Sequence, residues 1–283
     1  MRPTRLIALG ILCGIAFALP SHASAQQNDA RALVESVVTN ELDKDTNDHS
    51  RWMFVNNKKE AGKDIVKLVV QTKQGSLSKA IEIDGEPLTP QQEQEEKMKM
   101  HRFVTDAEVR QKQKKSDRED AQKATSLTRM LPDGFLWTKT EEHGDETILA
   151  FHPNPNFKPP TREARVFAAM EGTMVVNTKE QRIKTLQGTL ISDVNFGWFG
   201  VLGKLKKGGT FRVERREVGP DVWQITGTHV HIQGHMLLFK SISEDQDEET
   251  SHYKPVPQSI TLAEAETMLN DGTVAKKLVV TMP

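Results

Sequence analysis

Apolar residues in this chain come first as a block, then every three to four positions, then at every second one, and each change of period marks a change of element. The block is Leu6 to Leu19, preceded by Arg2 and Arg5 and followed by Ala23-Ser24-Ala25. A basic start, an apolar stretch and small residues at the last and third-last positions are what a signal peptidase accepts. Residues 1–25 are therefore expected to be a secretory signal peptide, with the mature chain beginning at Gln26 and exported to the periplasm or beyond. The apolar block, about 14 residues, is shorter than the roughly 20 that cross a bilayer core as a helix. No later segment is as apolar, so no transmembrane segment is expected in the mature chain. Leu12 stands before Cys13 where a lipid-attachment signal needs a small residue, which favours plain cleavage.

From residue 28 the period becomes helical. Asn28 or Asp29 can cap a helix over 28–43 in which Leu33, Val34, Val37, Val38, Glu41 and Leu42 share one stripe. The pattern then turns to strands, Trp52 to Val55, Ile65 to Val70 and Leu77 to Ile83, with short turns between them, which reads as an antiparallel meander over 51–84. Thr89-Pro90-Gln91-Gln92 is a capping box with proline at the first helical position, and Thr105-Asp106-Ala107-Glu108 is a second box. Two helices, about 90–104 and 106–131, are predicted across 89–131, ended by Pro132-Asp133-Gly134.

Strand signals return at Phe135 and fill 135–245. The runs are Phe135 to Thr140, Thr147 to Phe151, Arg165 to Asn177, Arg182 to Phe196, Thr210 to Val218, Trp223 to Gln233 and His235 to Ile242. A proline-rich loop, 152–160, interrupts them, and Gly234 is expected to break the strand before His235. A last helix should start at Thr261-x-x-Glu264 and close at Asn270-Asp271-Gly272, within a C-terminal helix and tail at 259–283. The fold class expected is α+β. One domain over 26–258 would hold a large curved antiparallel sheet, half-barrel-like, with the N-terminal helix and two central helices packed on it.

Composition narrows the chemistry. Cys13, the only cysteine, lies in the expected signal, so the mature chain has no disulfide and no thiol nucleophile. With 38 basic and 39 acidic residues the surface is of mixed sign, which gives no case for nucleic acid. The charge-dense run Arg110 to Lys123 alternates in sign and reads as a solvated helix face. No Gly-x-Ser-x-Gly elbow, His-Glu-x-x-His helix or dinucleotide fingerprint occurs, so no catalytic residue is nominated and no cofactor is expected.

Three local clusters remain. His229, His231 and His235 would share a face of an unbroken strand, and imidazoles at i and i+2 can bind zinc. No acidic ligand lies near them in sequence, and Val230, Ile232 and Met236 would fill the buried face, so the histidines read as a solvated strand face and not as a tight zinc site. Asp43-x-Asp45-x-Asn47 opens like a calcium loop but has Asp48 for the turn glycine and Phe54 for the bidentate glutamate, which leaves a polar turn. The segment Phe196 to Gly203 is not a phosphate loop, because five residues rather than four separate Gly197 and Gly203, and Leu205 stands where Ser or Thr must hold Mg²⁺. Its Trp198 and Phe199 form either a local core or an apolar wedge against a lipid surface.

Taken as an architecture, Leu33 to Leu42, Thr89 to Leu131 and Gly172 to Ile242 resemble the LolA-like periplasmic lipoprotein-carrier superfamily. In those half-barrels a curved antiparallel sheet wraps around helices and shelters an acyl chain. The chain also resembles exported proteins of unknown function, a likeness that implies no activity. No diagnostic motif accompanies the resemblance, so no binding residue carries over from it. What it implies is a non-enzymatic carrier for a lipid, lipoprotein or other apolar ligand, held between the sheet and the 89–131 helices. The residues expected at that groove are Met98, Phe103, Trp198, Phe199, Phe211 and Val213. Helices with so few apolar positions (Met98, Met100, Phe103, Val104, Val109, Leu127 and Met130) leave the dry sheet face incompletely covered. A structural or envelope-assembly protein with a filled core is the competing expectation. A metal-dependent hydrolase using His229 and His231 comes third.

Overall fold

The computed structural model describes residues 22–60, 62–196, 203–236 and 240–271. The expected signal block to Leu19 and the Trp198–Phe199 cluster lie outside these residues. Helix α1, His22–Asn47, precedes strands β1 (Trp52–Glu60), β2 (Lys63–Thr72), β3 (Gly75–Ile83) and the short β4 (Glu86–Pro87). Helices α2 (Pro90–Thr105) and α3 (Ala107–Gly134) follow, then β5 (Phe135–His143), β6 (Glu146–Pro153), α4 (Arg162–Phe167), β7 (Met170–Asn177) and β8 (Arg182–Leu190). The chain continues through β9 (Val194–Phe196), β10 (Gly203–Leu205), β11 (Thr210–Gly219), β12 (Val222–Met236), β13 (Lys240–Pro255) and α5 (Leu262–Asn270). The fold is α+β, as expected. All strands join one antiparallel sheet of 13, which does not close; its main path runs β4-β3-β2-β1-β13-β12-β11-β8-β7-β6-β5.

Local sequence explains most helix ends. The Thr89 hydroxyl accepts from the Gln92 amide while the Gln92 side chain accepts from the Thr89 N–H, a reciprocal box. At the second break Asp106, not Thr105, is the cap, its carboxylate accepting from the Glu108 and Val109 amides. Arg110 reaches back and donates to the carbonyls of Phe103 and Val104 that end α2.

Some boundaries differ from expectation. The helix does not end before Pro132 but runs to Gly134, where the missing proline N–H falls in the last turn. Residues Arg162–Phe167, half of which fell in an expected strand, are helical because Thr161 caps the Ala164 amide directly after Pro159-Pro160. The expected run Arg182 to Phe196 splits into β8 and β9. Gly234 does not break β12, since it pairs with Ile242 and Leu205 and the strand continues to Met236.

The sheet buries opposite faces at its two ends. Following the register from Trp137 through Phe151, Gly172, Gly188, Phe211 and Val230 to Gln246 defines an inner face. Over β5–β8 that face is filled by α1, whose Ala30, Val34, Val37 and Val38 pack on Trp137, Leu149, Phe151 and Met174. The rings of Phe135, Trp137 and Phe151 lie 4.6–5.9 Å apart, and the Trp137 indole donates to the Leu131 carbonyl. At the other end the buried face is the outer one. There Met53, Val55, Leu68 and Val70 pack on Ile260, Ala265 and Leu269, at or near α5. The inner face of β1–β3 is therefore left without a helix packed flat upon it.

Candidate functional site

That uncovered inner face is the wall of a groove of about 1260 Å³. Its floor is built by alternation: Phe54, Asn56 and Lys58 of β1 sit beside Ile65, Lys67, Val69 and Gln71 of β2 and Ser76, Ser78 and Ala80 of β3. Glu248, Thr250 and Tyr253 of β13 and Trp223 and Ile225 of β12 continue it. Gln113 and Asp117 of α3 line it from the helix side, and Met100 and Phe103 of α2, which also pack in the outer-face core, reach its edge.

Two bulges decide what faces the groove. On β12 the register passes from Gly227 opposite Glu214 to Ile225 opposite Arg215, so Thr226 is an extra residue and the alternation flips there. Beyond the flip, Trp223 and Ile225 turn inward, where an unbroken β12 would have turned them out. On β13 three steps, Ser251 to Lys254, face two on β1, Val55 to Met53, and His252 takes a left-handed φ of 57°. This shift brings Tyr253 inward. Its hydroxyl bonds to Thr250 at 2.6 Å and its ring lies over Phe54.

The groove is amphipathic. Aromatic and aliphatic groups alternate on its floor with Lys58, Lys67 and Glu248, and Glu96 stands at its helix side. Burial pushes the Glu96 carboxyl up, but bonds from the Lys99 ammonium at 2.7 Å and the Ala80 amide at 3.0 Å outweigh it and hold the group below the usual carboxylate range. One end is closed by a charged knot. The Glu41 carboxylate, 1% exposed, accepts from the Ile183 amide at 2.6 Å and lies 3.0 and 3.1 Å from the guanidinium nitrogens of Arg182 and Arg215. Asp45 takes a further bond of 2.8 Å from Arg215. The Arg182 guanidinium stacks on the Trp223 ring at 5.9 Å. Burial raises the Glu41 carboxyl above its ordinary range despite both guanidiniums.

Of the residues expected at the groove, Phe103 lines it. Met98 points away and is 55% exposed. Phe211 lies on the inner face but in the other half, packed against Phe167 and over Gly188. Val213 pairs with Leu186 and Thr228, outside the groove lining. The strand-side residues Phe54, Trp223, Ile225 and Tyr253 were not foreseen, because their face depends on strand order and on the bulges at Thr226 and His252.

The histidines stand on the opposite, outer face. His229 pairs in register with Asp247 and His231 with Asp245, so the hairpin sets two acids beside two imidazoles. His229 Nδ1 lies 2.8 Å from Asp247 Oδ1, His231 Nδ1 contacts Asp245 Oδ1, and His231 Nε2 is 3.5 Å from Asp247 Oδ1. The reason for setting these histidines aside, the lack of an acidic neighbour, thus held only along the sequence. An alternating His-x-His strand followed within about 15 residues by Asp-x-Asp is a usable signal for the pair, since hairpin register sets the two runs opposite each other. His235 pairs with Ser241 and Lys204 further along. Asp45 and Asp48, from the calcium-like turn, are engaged with Arg215 and Gln224.

No protein-family model, curated protein or solved structure matches this chain. Among the described residues no helix is long and apolar enough to cross a membrane.

Proposed function

We propose that this chain is an exported, non-catalytic binding or carrier protein whose groove takes an amphiphilic, lipid-like molecule, a lipid or the acyl part of a lipoprotein. The observation that carries the reading is the 1260 Å³ groove on the inner face of β1–β3, where among the described residues no helix packs flat on the sheet. It exceeds the roughly 300–1,000 Å³ of small-molecule sites, so it suits a long ligand. Its lining adds a constraint: Phe54, Val69, Ile225 and Phe103 offer contact to a chain, each buried methylene contributing about 0.8 kcal/mol. Lys67 stands within the same lining, where an ammonium suits a polar head. The likeness to LolA-like half-barrels points the same way, and cleavage after Ala25 would deliver the chain to such a ligand. The competing reading, a structural protein with a filled core, draws on the β5–β8 half, where α1 does fill the inner face.

Native mass spectrometry of protein purified without detergent, together with titration by a fluorescent fatty acid, tests the proposal. Co-purified lipid or saturable one-to-one binding is the expected result. Absence of both leaves the structural reading.

A further inference from the structure

We propose that the outer face of the β12–β13 hairpin is a divalent transition-metal site, with His231, Asp245 and Asp247 as ligands and His229 as the residue that positions Asp247. One ligand atom from each of the three lies within 4.8 Å of the other two. That spacing lets small side-chain rotations bring them onto one ion, since ligands about 2.0–2.2 Å from a tetrahedral metal lie roughly 3.3 Å from each other. The cluster is built, not incidental. Cross-strand register sets His231 opposite Asp245 and His229 opposite Asp247, and residues two apart on each strand share one face.

His229 binds Asp247 Oδ1 through Nδ1 at 2.8 Å, which holds that carboxylate beside His231. The donor set, one imidazole and two carboxylates, is borderline to hard. It suits zinc or another first-row divalent ion and not copper(I), which needs thiolate or thioether. Asp245, Asp247 and Glu249 alternate along this face of β13, and of the neighbouring cations Arg212 is committed to Glu214 and Gln187, while Lys59 stands across the ladder from Asp247. Because the face is exposed, the remaining coordination positions are open to water. The site lies on the side of the sheet away from the groove, so it is independent of the ligand proposed there.

The test uses untagged mature protein stripped with chelator and titrated with zinc chloride by calorimetry. One zinc per chain is expected, with affinity reduced at least tenfold in His231→Ala and in Asp247→Asn. The His229→Phe variant should lose affinity while still binding one ion. Far-ultraviolet circular dichroism and the urea midpoint of each variant guard against misfolding, and Asp245→Asn, at an exposed position, provides a second ligand deletion that leaves the core untouched. Cobalt(II) in place of zinc should give visible absorption bands that the ligand variants lose. No saturable uptake, or equal uptake by wild type and all ligand variants through the chain's other histidines, overturns the proposal.

Discussion

Tyr253 stacks on Phe54 with ring centroids 5.0 Å apart and planes inclined by 21°. Neighbouring strands bring the two rings together only because His252, at φ 57°, adds a residue to β13 and shifts its register against β1. A left-handed conformation costs an ordinary residue roughly 1–2 kcal/mol, more when the side chain is β-branched. His252→Gly should therefore hold or raise stability, whereas His252→Val should lower it by about 1–2 kcal/mol. Urea unfolding followed by circular dichroism checks both, and equal midpoints would show that the bulge is not under strain.

The Glu41 knot gives the largest stability effect. Glu41→Ala takes from the Arg182 guanidinium, almost wholly buried, its nearer carboxylate and leaves only Asp45 at 3.8 Å. Removing one member of a buried pair costs about 3–5 kcal/mol. Glu41→Gln keeps an acceptor for the Ile183 amide and should cost less. Equal urea midpoints for wild type and Glu41→Ala would show that the knot contributes nothing.

Stability against pH should carry two opposed contributions. The Glu96 pKa is lowered on folding, so its contribution is fully present above the ordinary glutamate range and is lost as pH falls through the lowered value. The Glu41 pKa is raised, so its contribution is present below the ordinary range and declines as pH rises through the raised value. Relative to wild type, Glu96→Gln should therefore flatten the acid side of the stability curve. Glu41→Gln should flatten the decline on the higher-pH side. Urea midpoints measured from pH 3 to 8 follow both, and parallel curves for wild type and the variants would refute the assignments.

Gly172 and Gly188 face each other across β7 and β8 beneath Phe151 and Phe211. A Cβ on Gly172 would meet the Gln187 carbonyl oxygen at 2.0 Å, and one on Gly188 would meet the Phe211 ring at 2.7 Å. The first obstacle is backbone and cannot turn aside. Gly172→Ala should destabilise by about 3 kcal/mol or more and Gly188→Ala by about 1–3 kcal/mol, the usual range for overpacking. Thermal unfolding of the two variants reads the order directly.

Ile225 is 48% exposed although it stands in the groove lining, so its replacement should leave the fold intact. Ile225→Asp should weaken fluorescent fatty-acid binding at least tenfold with a urea midpoint close to wild type. Unchanged affinity would remove Ile225 from the binding surface.

Helix caps were legible because they depend on residues three or four apart. The boxes at Thr89 and Thr261 close as read, and the stripe Val34, Val37 and Val38 is the buried side of α1. Alternation was legible within a strand too: Phe211 and Val213 do share the inner face. What covers that face was not legible, since the choice between α1 on one half and an open groove on the other is made by packing among elements far apart in the chain.

By itself the sequence determined the α+β class, the meander, the paired central helices and, away from bulges, which residues of a strand share a face. These follow from local sterics, capping and the period of apolar residues, which act over a few positions. Only the tertiary structure decided that β1 lies beside β13, that bulges at Thr226 and His252 turn Ile225 and Tyr253 into a groove, and that Asp245 and Asp247 meet His231. Each of these depends on the register between paired strands, within a hairpin or across the chain. One added residue in a strand of period two sends every later side chain to the opposite face.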